Sequence, residues 1–246
     1  NMGTAYLDGE KPYFIFCNGY YTRATAAAYT LGADNKIVRY WGIDSGWVEM
    51  PNPFFITSKA DMESGEGNIP ESAGFAAQGD HSISIADVDG DGCQEIIYGG
   101  AIIDNDGTLY SSAYALRPDG VYSKFGHGDS QHVTDIAPDH PGLEIFACYE
   151  DAERAPYGAA LRDAMSRETQ VLFGDYSGDD TGRCLIGDIL PSERGLETWG
   201  YINRTAKGKE FTGTTIGTNQ NIRWAADMST SVYTNNIVGL DAAGKA

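Results

Sequence analysis

The strongest constraint on this chain is a recurrence. Three times an acidic loop is followed by the same kind of short apolar strand: HSISIADVDGDGCQEIIYGG over His81–Gly100, HVTDIAPDHPGLEIFACYE over His132–Glu150, and RCLIGDILPSERGLETWGY over Arg183–Tyr201. Aligned on their first aspartates (Asp87, Asp135 and Asp188), the copies lie 48 and then 53 residues apart, and each carries a glutamate (Glu95, Glu144, Glu197) eight or nine residues on. A period near 50 residues marks a repeat architecture, in which no unit buries its apolar face alone. Repeated short strands at that period predict an all-β chain of radially repeated four-stranded sheets, a β-propeller. A β-sandwich also accommodates the strands but does not predict the recurring acidic loop. About five repeat lengths fit in the 246 residues.

The rest of the chain supports that class. Tyr13–Cys17, Ala24–Leu31, Lys36–Trp41, Glu95–Tyr98, Leu109–Leu116, Leu143–Tyr149, Glu168–Phe173 and Glu197–Ile202 read as strands, separated by turn residues such as Asn18-Gly19 and Asp104–Gly107. Arg154–Arg167 has helix-like spacing, with Ala159, Leu161 and Met165 able to share a face, although a strand of small residues fits it nearly as well. Residues 46–79, rich in Pro, Ser, Gly and acids, form a long excursion between repeats.

Composition narrows the function. Seventeen basic residues stand against 35 acidic ones, a formal charge of −18. Such a surface repels nucleic acid and anionic membranes and draws in divalent cations, although acidity also serves solubility alone. No apolar run approaches the roughly 18 residues that span a bilayer. No signal peptide is visible, so a secreted protein would have lost its leader. Cys17, Cys93, Cys148 and Cys184 form no C-x-x-C pair, which removes zinc-ribbon and thioredoxin readings; Cys148 and Cys184 are expected to be buried free thiols.

The loop Asp87-Val-Asp89-Gly-Asp91-Gly-Cys-Gln-Glu95 opens like an EF-hand, but its glutamate arrives early and no helices flank it. Alternate aspartates across glycine turns supply the hard oxygen donors that Ca2+ requires. Asp87, Asp89, Asp91 and Glu95 are therefore candidate ligands. The loops from Asp135 to Glu144 and from Asp188 to Glu197 keep the terminal acids and replace most of the rest with proline and basic residues. They are depleted metal loops, or turns in which the aspartate caps backbone N–H groups and the glutamate pairs with His140 or Arg194. Just before the copies stand His81, His127 in Gly126-His127-Gly128-Asp129, His132, and Arg183 in Asp180-Thr181-Gly182-Arg183. A guanidinium at Arg183 is shaped to grip a carboxylate, or to pair with its neighbouring aspartates. Tyr20, Tyr21 and Arg23 follow the Asn18-Gly19 turn and are candidate sugar contacts, though a β core also consumes aromatics.

Taken in order, GTAYLDG at Gly3–Gly9, NGYYTR at Asn18–Arg23, the stretch from Asp80 to Gly99, GHGD at Gly126–Asp129, PGLE at Pro141–Glu144 and DTGR at Asp180–Arg183 resemble rhamnogalacturonan lyases of polysaccharide lyase family 11. The resemblance implies an eight-bladed, calcium-carrying propeller catalytic domain of which residues 1–246 form half to two-thirds of the ring. A partner chain or dimer could complete that ring. It also implies a protein secreted by pectin-degrading bacteria that cleaves the rhamnose-α-1,4-galacturonate bond of rhamnogalacturonan I by β-elimination. His81, His127 and Arg183 match functional residues of the family. A later Asn-Gly-Thr-Lys loop and an N-terminal acidic segment of the family are not found, and residues 46–79 and the last twenty or so match poorly.

Elimination removes the proton at C5 of galacturonate and expels O4. The chemistry needs its C6 carboxylate neutralised, by Arg183 or calcium, and a base, His81 or His127. The other reading is a non-catalytic, calcium-stabilised propeller fragment that binds carbohydrate or protein. The lyase predicts that His81, His127 and Arg183 share a cleft; the binding module predicts no such convergence.

Overall fold

A computed structural model of the chain describes residues 1–48, 65–150, 156–175, 181–188, 194–202, 214–217, 224–227 and 236–239. The chain is all-β, its described residues carrying a single 3-10 turn at Pro70–Phe75 and no helix long and apolar enough to cross a membrane. The strands gather in chain order into antiparallel meanders. Sheet 1 comprises β1 (Met2–Ala5), β2 (Tyr13–Asn18), β3 (Thr25–Leu31) and β4 (Ile37–Asp44). Sheet 2 comprises β5 (Ser84–Ala86), β6 (Glu95–Tyr98), β7 (Ala101–Ile103) and β8 (Leu109–Ser112). A hairpin of β9 (Tyr114–Leu116) and β10 (Tyr122–Lys124) leads to sheet 3: β11 (Ser130–Thr134), β12 (Glu144–Cys148), β13 (Ala159–Asp163) and β14 (Val171–Asp175). A three-stranded sheet of β15 (Thr181–Gly187), β16 (Glu197–Ile202) and β17 (Thr214–Gly217) follows, then the pair β18 (Trp224–Asp227) and β19 (Asn236–Gly239).

Two regularities show that the sheets are copies of one unit. The glutamate of each acidic loop is the first residue of its sheet's second strand, paired with the residue just before the loop aspartate: Ala86 with Glu95, Thr134 with Glu144, Gly187 with Glu197. The third strand of every four-stranded sheet also shifts register against the fourth, at Ala28/Tyr29, Ile102/Ile103 and Leu161/Arg162. A bulge repeated at one place adds the same local twist to each sheet.

The sheets stack face to face, with apolar layers between. Ile15, Ala26, Trp41 and Ile43 of sheet 1 meet Ile96, Tyr98 and Ile103 of sheet 2. The opposite face of sheet 2, with Ile97, Ile102 and Tyr110, meets Ile145, Ala147 and Ala160 of sheet 3. Phe146, Cys148 and Leu161 then pack on Cys184 of β15. Gly107, at φ +87, lies so close to the Trp41 ring that a Cβ there would stand 2.7 Å from it. Trp41 Nε1 donates to the Asn105 carbonyl at 2.8 Å, locking that turn of sheet 2 onto sheet 1. Because β6 is buried on both faces, Ile97→Ala opens a hole no neighbour can refill. It is expected to cost about 2–5 kcal/mol, read from a guanidinium melt.

Sheet 1 differs in one respect. Its second strand alternates, with Tyr13, Ile15 and Cys17 buried and Phe14 and Phe16 each 45% exposed, whereas β6 and β12 are buried throughout. Its outer face thus presents Met2, Phe14 and Phe16 to solvent.

The helix-like reading of Arg154–Arg167 is corrected. Ala159–Asp163 is strand β13, and residues 151–155 lie outside the described set. Ala159, Ala160 and Leu161 are small enough to be buried on both sides of a sheet, and that burial overrides helical spacing. The run Leu109–Leu116 is two strands, broken where Ala113 donates to Gly100 and accepts from Phe125. Of the 46–79 excursion, residues 49–64 lie outside the described set. Its far end is anchored by the buried Lys124 amine, which donates to the carbonyls of Gly65 at 3.0 Å and Ala76 at 2.7 Å and faces Glu66 at 3.4 Å. Burial pulls that amine down to about 8.

Candidate functional site

The segments leading into the first strands of sheets 2 and 3 run side by side. Asp80 and Gly128 form a parallel bridge, and His81 N donates to the Gly128 carbonyl at 3.1 Å. Arg183, on the first strand of the next sheet, reaches the same place through a hydrogen-bonded ion pair with Asp129. Leading segments distant in sequence thereby converge on one point.

His127 is its floor. The side chain is fully buried, and Nδ1 lies 2.8 Å from the Gly79 carbonyl, which can only accept, so Nδ1 carries the proton. Nε2 then faces two carboxylates, Asp129 Oδ1 at 3.9 Å and Glu150 Oε2 at 3.8 Å. His81 stands over it at 88°, ring centroids 4.7 Å apart, and is 46% exposed, with Nε2 3.6 Å from Asp129 Oδ1. Tyr20 and Tyr21 close the box, with centroids 4.8 and 4.6 Å from His127, and the Tyr21 hydroxyl reaches Glu150 at 3.5 Å. The structure thus brings His81, His127, Arg183, Tyr20 and Tyr21 together. It places two others at the margin: the Arg23 guanidinium grips Asp44, and His132 Nε2 meets the Cys184 carbonyl at 3.0 Å between adjacent sheets.

Three acids here were not singled out in the sequence. Asp129 sits inside the GHGD motif, where the histidine drew attention. Glu150 follows β12 and nothing in its neighbourhood marks it. Asp80 is fully buried, its Oδ1 accepting from Ser82 N at 2.7 Å and Ser82 Oγ at 2.8 Å while Oδ2 has no hydrogen-bond partner. Burial raises its carboxyl to about 6, against the pull of the Ser82 hydrogen bonds, His81 and Arg183.

Two groups of three among the described residues place ligand atoms within 4.8 Å of one another: His81, His127 and Asp129, and Asp87, Asp89 and Glu95. In the second, Gly90 and Gly92 take φ of +79 and +91, the left-handed turns that fold the loop onto itself. Glu95 Oε2 accepts from Val88 N at 2.7 Å, while Oε1 is buried without a hydrogen-bond partner. Burial and the nearby charges of Asp89, Asp104 and Asp87 raise this carboxyl to about 7, outweighing the Val88 bond. A buried donor atom among acids fits a bound cation. Asp91 turns its Oδ1 to Cys93 N and lies outside the group. In the second loop Glu144 Oε2 accepts from Ile136 N and Ala137 N, both at 2.8 Å, and Oε1 is again buried without a hydrogen-bond partner. Neither Asp135 with Glu144 nor Asp188 with Glu197 enters a three-ligand group among the described residues. Arg194 pairs with Asp139 and His140 Nε2 lies 3.5 Å from Asp163, so the basic residues of these loops meet acids other than the loop glutamates.

Residues 1–242 match the family model described as rhamnogalacturonan lyase family 11, C-terminal domain. The chain belongs to that family. It is 41% identical over 199 residues to the rhamnogalacturonan exolyase YesX of Bacillus subtilis (strain 168), a match covering 80% of this chain and 26% of that protein. It is 38% identical over 229 residues to the rhamnogalacturonan endolyase YesW of the same organism, covering 92% of this chain and 31% of the relative. The crystal structure of exotype rhamnogalacturonan lyase YesX superposes with a TM-score of 0.69 at 32% identity, over 99% of this chain and 38% of that one. The Bacillus licheniformis family 11 lyase does so with 0.63 at 32%, over 98% and 38%. The chain therefore spans about a quarter to a third of the curated family members it matches.

Proposed function

We propose that this chain carries the elimination centre of a secreted bacterial rhamnogalacturonan lyase, built where successive blades of a β-propeller meet. The observation that carries the reading is the convergence of His81, His127, Asp129 and Arg183 from the leading ends of three successive sheets. A propeller accounts for the face-to-face stack of meandering sheets and their repeated third-strand bulge. The exposed apolar face of sheet 1 suits a further blade, from a longer polypeptide, a partner chain or a second copy.

The substrate is the rhamnogalacturonan I backbone, cut at its rhamnose-α-1,4-galacturonate bond. The centre holds the carboxylates of Asp129 and Glu150, with Asp80 buried beside them, and these repel a uronate unless positive charge intervenes. Ca2+ held by the carboxylates of Asp129 and Glu150, which face the same point, would supply that charge and acidify the C5 proton, while an ion in the Asp87–Glu95 loop, at the other end of β5, would be structural. Arg183, 58% exposed and already turned to this point, offers a second positive group to the C6 carboxylate. His81 is half exposed and is oriented by Asp129, so it can touch the sugar and take the C5 proton. His127 is sealed below it and fixes the box. The depleted loops Asp135–Glu144 and Asp188–Glu197 gather no three ligands among the described residues, so the calcium loop of the repeat is Asp87–Glu95.

The chain incubated with rhamnogalacturonan I is expected to produce the ultraviolet absorbance of an unsaturated uronate product. That rise should stop with a chelator and return with added calcium. A chain that binds the polysaccharide in calcium but generates no unsaturated product would instead be the non-catalytic binding module.

A further inference from the structure

We propose that Trp47 is an outer sugar subsite that stacks on a rhamnosyl ring of the polysaccharide, an inference that rests on the lyase reading above. Single exposed apolar side chains are ordinary on a protein surface. Trp47, 63% exposed, is not held as an ordinary one. Its backbone N–H donates to Asn68 Oδ1 at 3.0 Å, and its carbonyl accepts from Asn68 N at 3.0 Å. The preceding Gly46, at φ +72, makes the turn that lifts it out, and a Cβ there would fall 2.0 Å from Asn68 Oδ1. The indole rests against the Arg23 guanidinium, whose Cζ is 5.1 Å from the ring centroid. Arg23 is itself fixed by a two-pronged pairing with Asp44, and Asp44 Oδ1 also accepts from Gly46 N at 2.9 Å. A large aromatic surface is thus presented to solvent with its backbone pinned and its ring supported from behind. Contact with a ligand would then cost little ordering entropy.

Position links this platform to the reaction centre. The loop from Tyr20 to Arg23 has its tyrosines packed on His127 and its arginine under Trp47. Thr22 between them accepts from Ala77 N at 2.8 Å, two residues before the Gly79 that holds His127. A chain lying over His81 and His127 and running along this loop would next meet the indole.

Charge selects which sugar it meets. Two nitrogens of Arg23 are taken up by the two oxygens of Asp44, whereas Arg183 meets Asp129 through one nitrogen only, so the platform offers no available cation to a galacturonate. An apolar face suits the 6-deoxy ring of rhamnose, which carries a methyl group in place of a charged or hydroxylated carbon. The subsite would therefore distinguish the alternating backbone from a chain of galacturonate alone.

Affinity electrophoresis in gels containing rhamnogalacturonan I tests this, with His81→Ala as background so that the polymer is not cut. Adding Trp47→Ala is expected to weaken retention about tenfold, the loss of one aromatic stack, while Trp47→Phe keeps most of it. Migration in homogalacturonan gels should not change. Trp47→Ala migrating with the background in rhamnogalacturonan I would overturn the subsite and leave the lyase reading standing. A background chain that rhamnogalacturonan I does not retard at all would overturn both. Indole fluorescence gives a second readout in the background chain itself: a rhamnogalacturonan I oligosaccharide should shift its emission, and the shift should vanish in Trp47→Phe. Its persistence there would count equally against the subsite.

Discussion

Alanine at position 81 is expected to lower the rate of unsaturated-product formation about 10²–10⁴-fold, the usual contribution of a positioned general base. The chain should remain folded, because His81 is half exposed and its ring packs on His127 and Tyr20 from the solvent side. His127→Ala is expected to be as damaging to the rate but to differ in stability. It empties a fully buried site and leaves the Gly79 carbonyl without the Nδ1–H that faces it at 2.8 Å. Product assays and thermal melts on both variants separate the two roles. A drop of less than about tenfold for His81→Ala would place the base elsewhere. An unchanged melting point for His127→Ala would show that its burial carries no structural weight.

Asparagine at position 80 is expected to stabilise the fold at neutral pH. The Asp80 carboxyl sits near 6 in the folded chain against an ordinary 3.8, because burial disfavours its charge. Between those values the folded state binds more protons than the unfolded one, so this group's contribution to stability falls as pH rises from about 4 to 6. Above that window the full cost of a buried charge is present. Asp80→Asn removes the charge and keeps an oxygen for Ser82 N, so it should gain about 2–3 kcal/mol at pH 7 and little near pH 4. Guanidinium melts at both pH values with a chelator present measure the difference. A variant less stable than the parent at pH 7 would mean that His81 and Arg183 hold the carboxylate in its charged form.

The all-β class was legible because the repeat is written in residues that packing cannot hide. Asp87, Asp135 and Asp188 each leave a strand, and Glu95, Glu144 and Glu197 each open the next. Strands such as β2 and β6 were legible for the same reason, being apolar runs between turn residues. Others were not. Ser130–Thr134 is polar and short, Tyr122–Lys124 has three residues, and Ala159–Asp163 has small residues with no alternation because both faces are covered. Their strand character comes from the neighbours they pair with. The recurring bulge likewise leaves no mark on the sequence.

The site was half legible. His81, His127 and Arg183 stood out as polar residues at the leading edges of repeats, and the fold turns those edges toward one another. Asp129, Glu150 and Asp80 could not be found that way, since a carboxylate in a chain with 35 acids carries no distinction until its burial is known. Arg23 stood out as a candidate sugar contact, but its pairing with Asp44 depends on the register between β3 and the end of β4, where Thr25 faces Asp44.

The loop glutamates have a consequence for how such a chain can change over time. Glu95 and Glu144 each spend one oxygen on the amides of their own turn, at Val88 and at Ile136 and Ala137. The bend at the end of each hairpin is therefore closed from within by the residue that starts the next strand. Residues between the two acids are free to drift to proline, serine or arginine, as in the second and third copies, while the strand frame stays in place. A cation becomes an addition that one copy can keep and its neighbours can lose, without the sheets coming out of register.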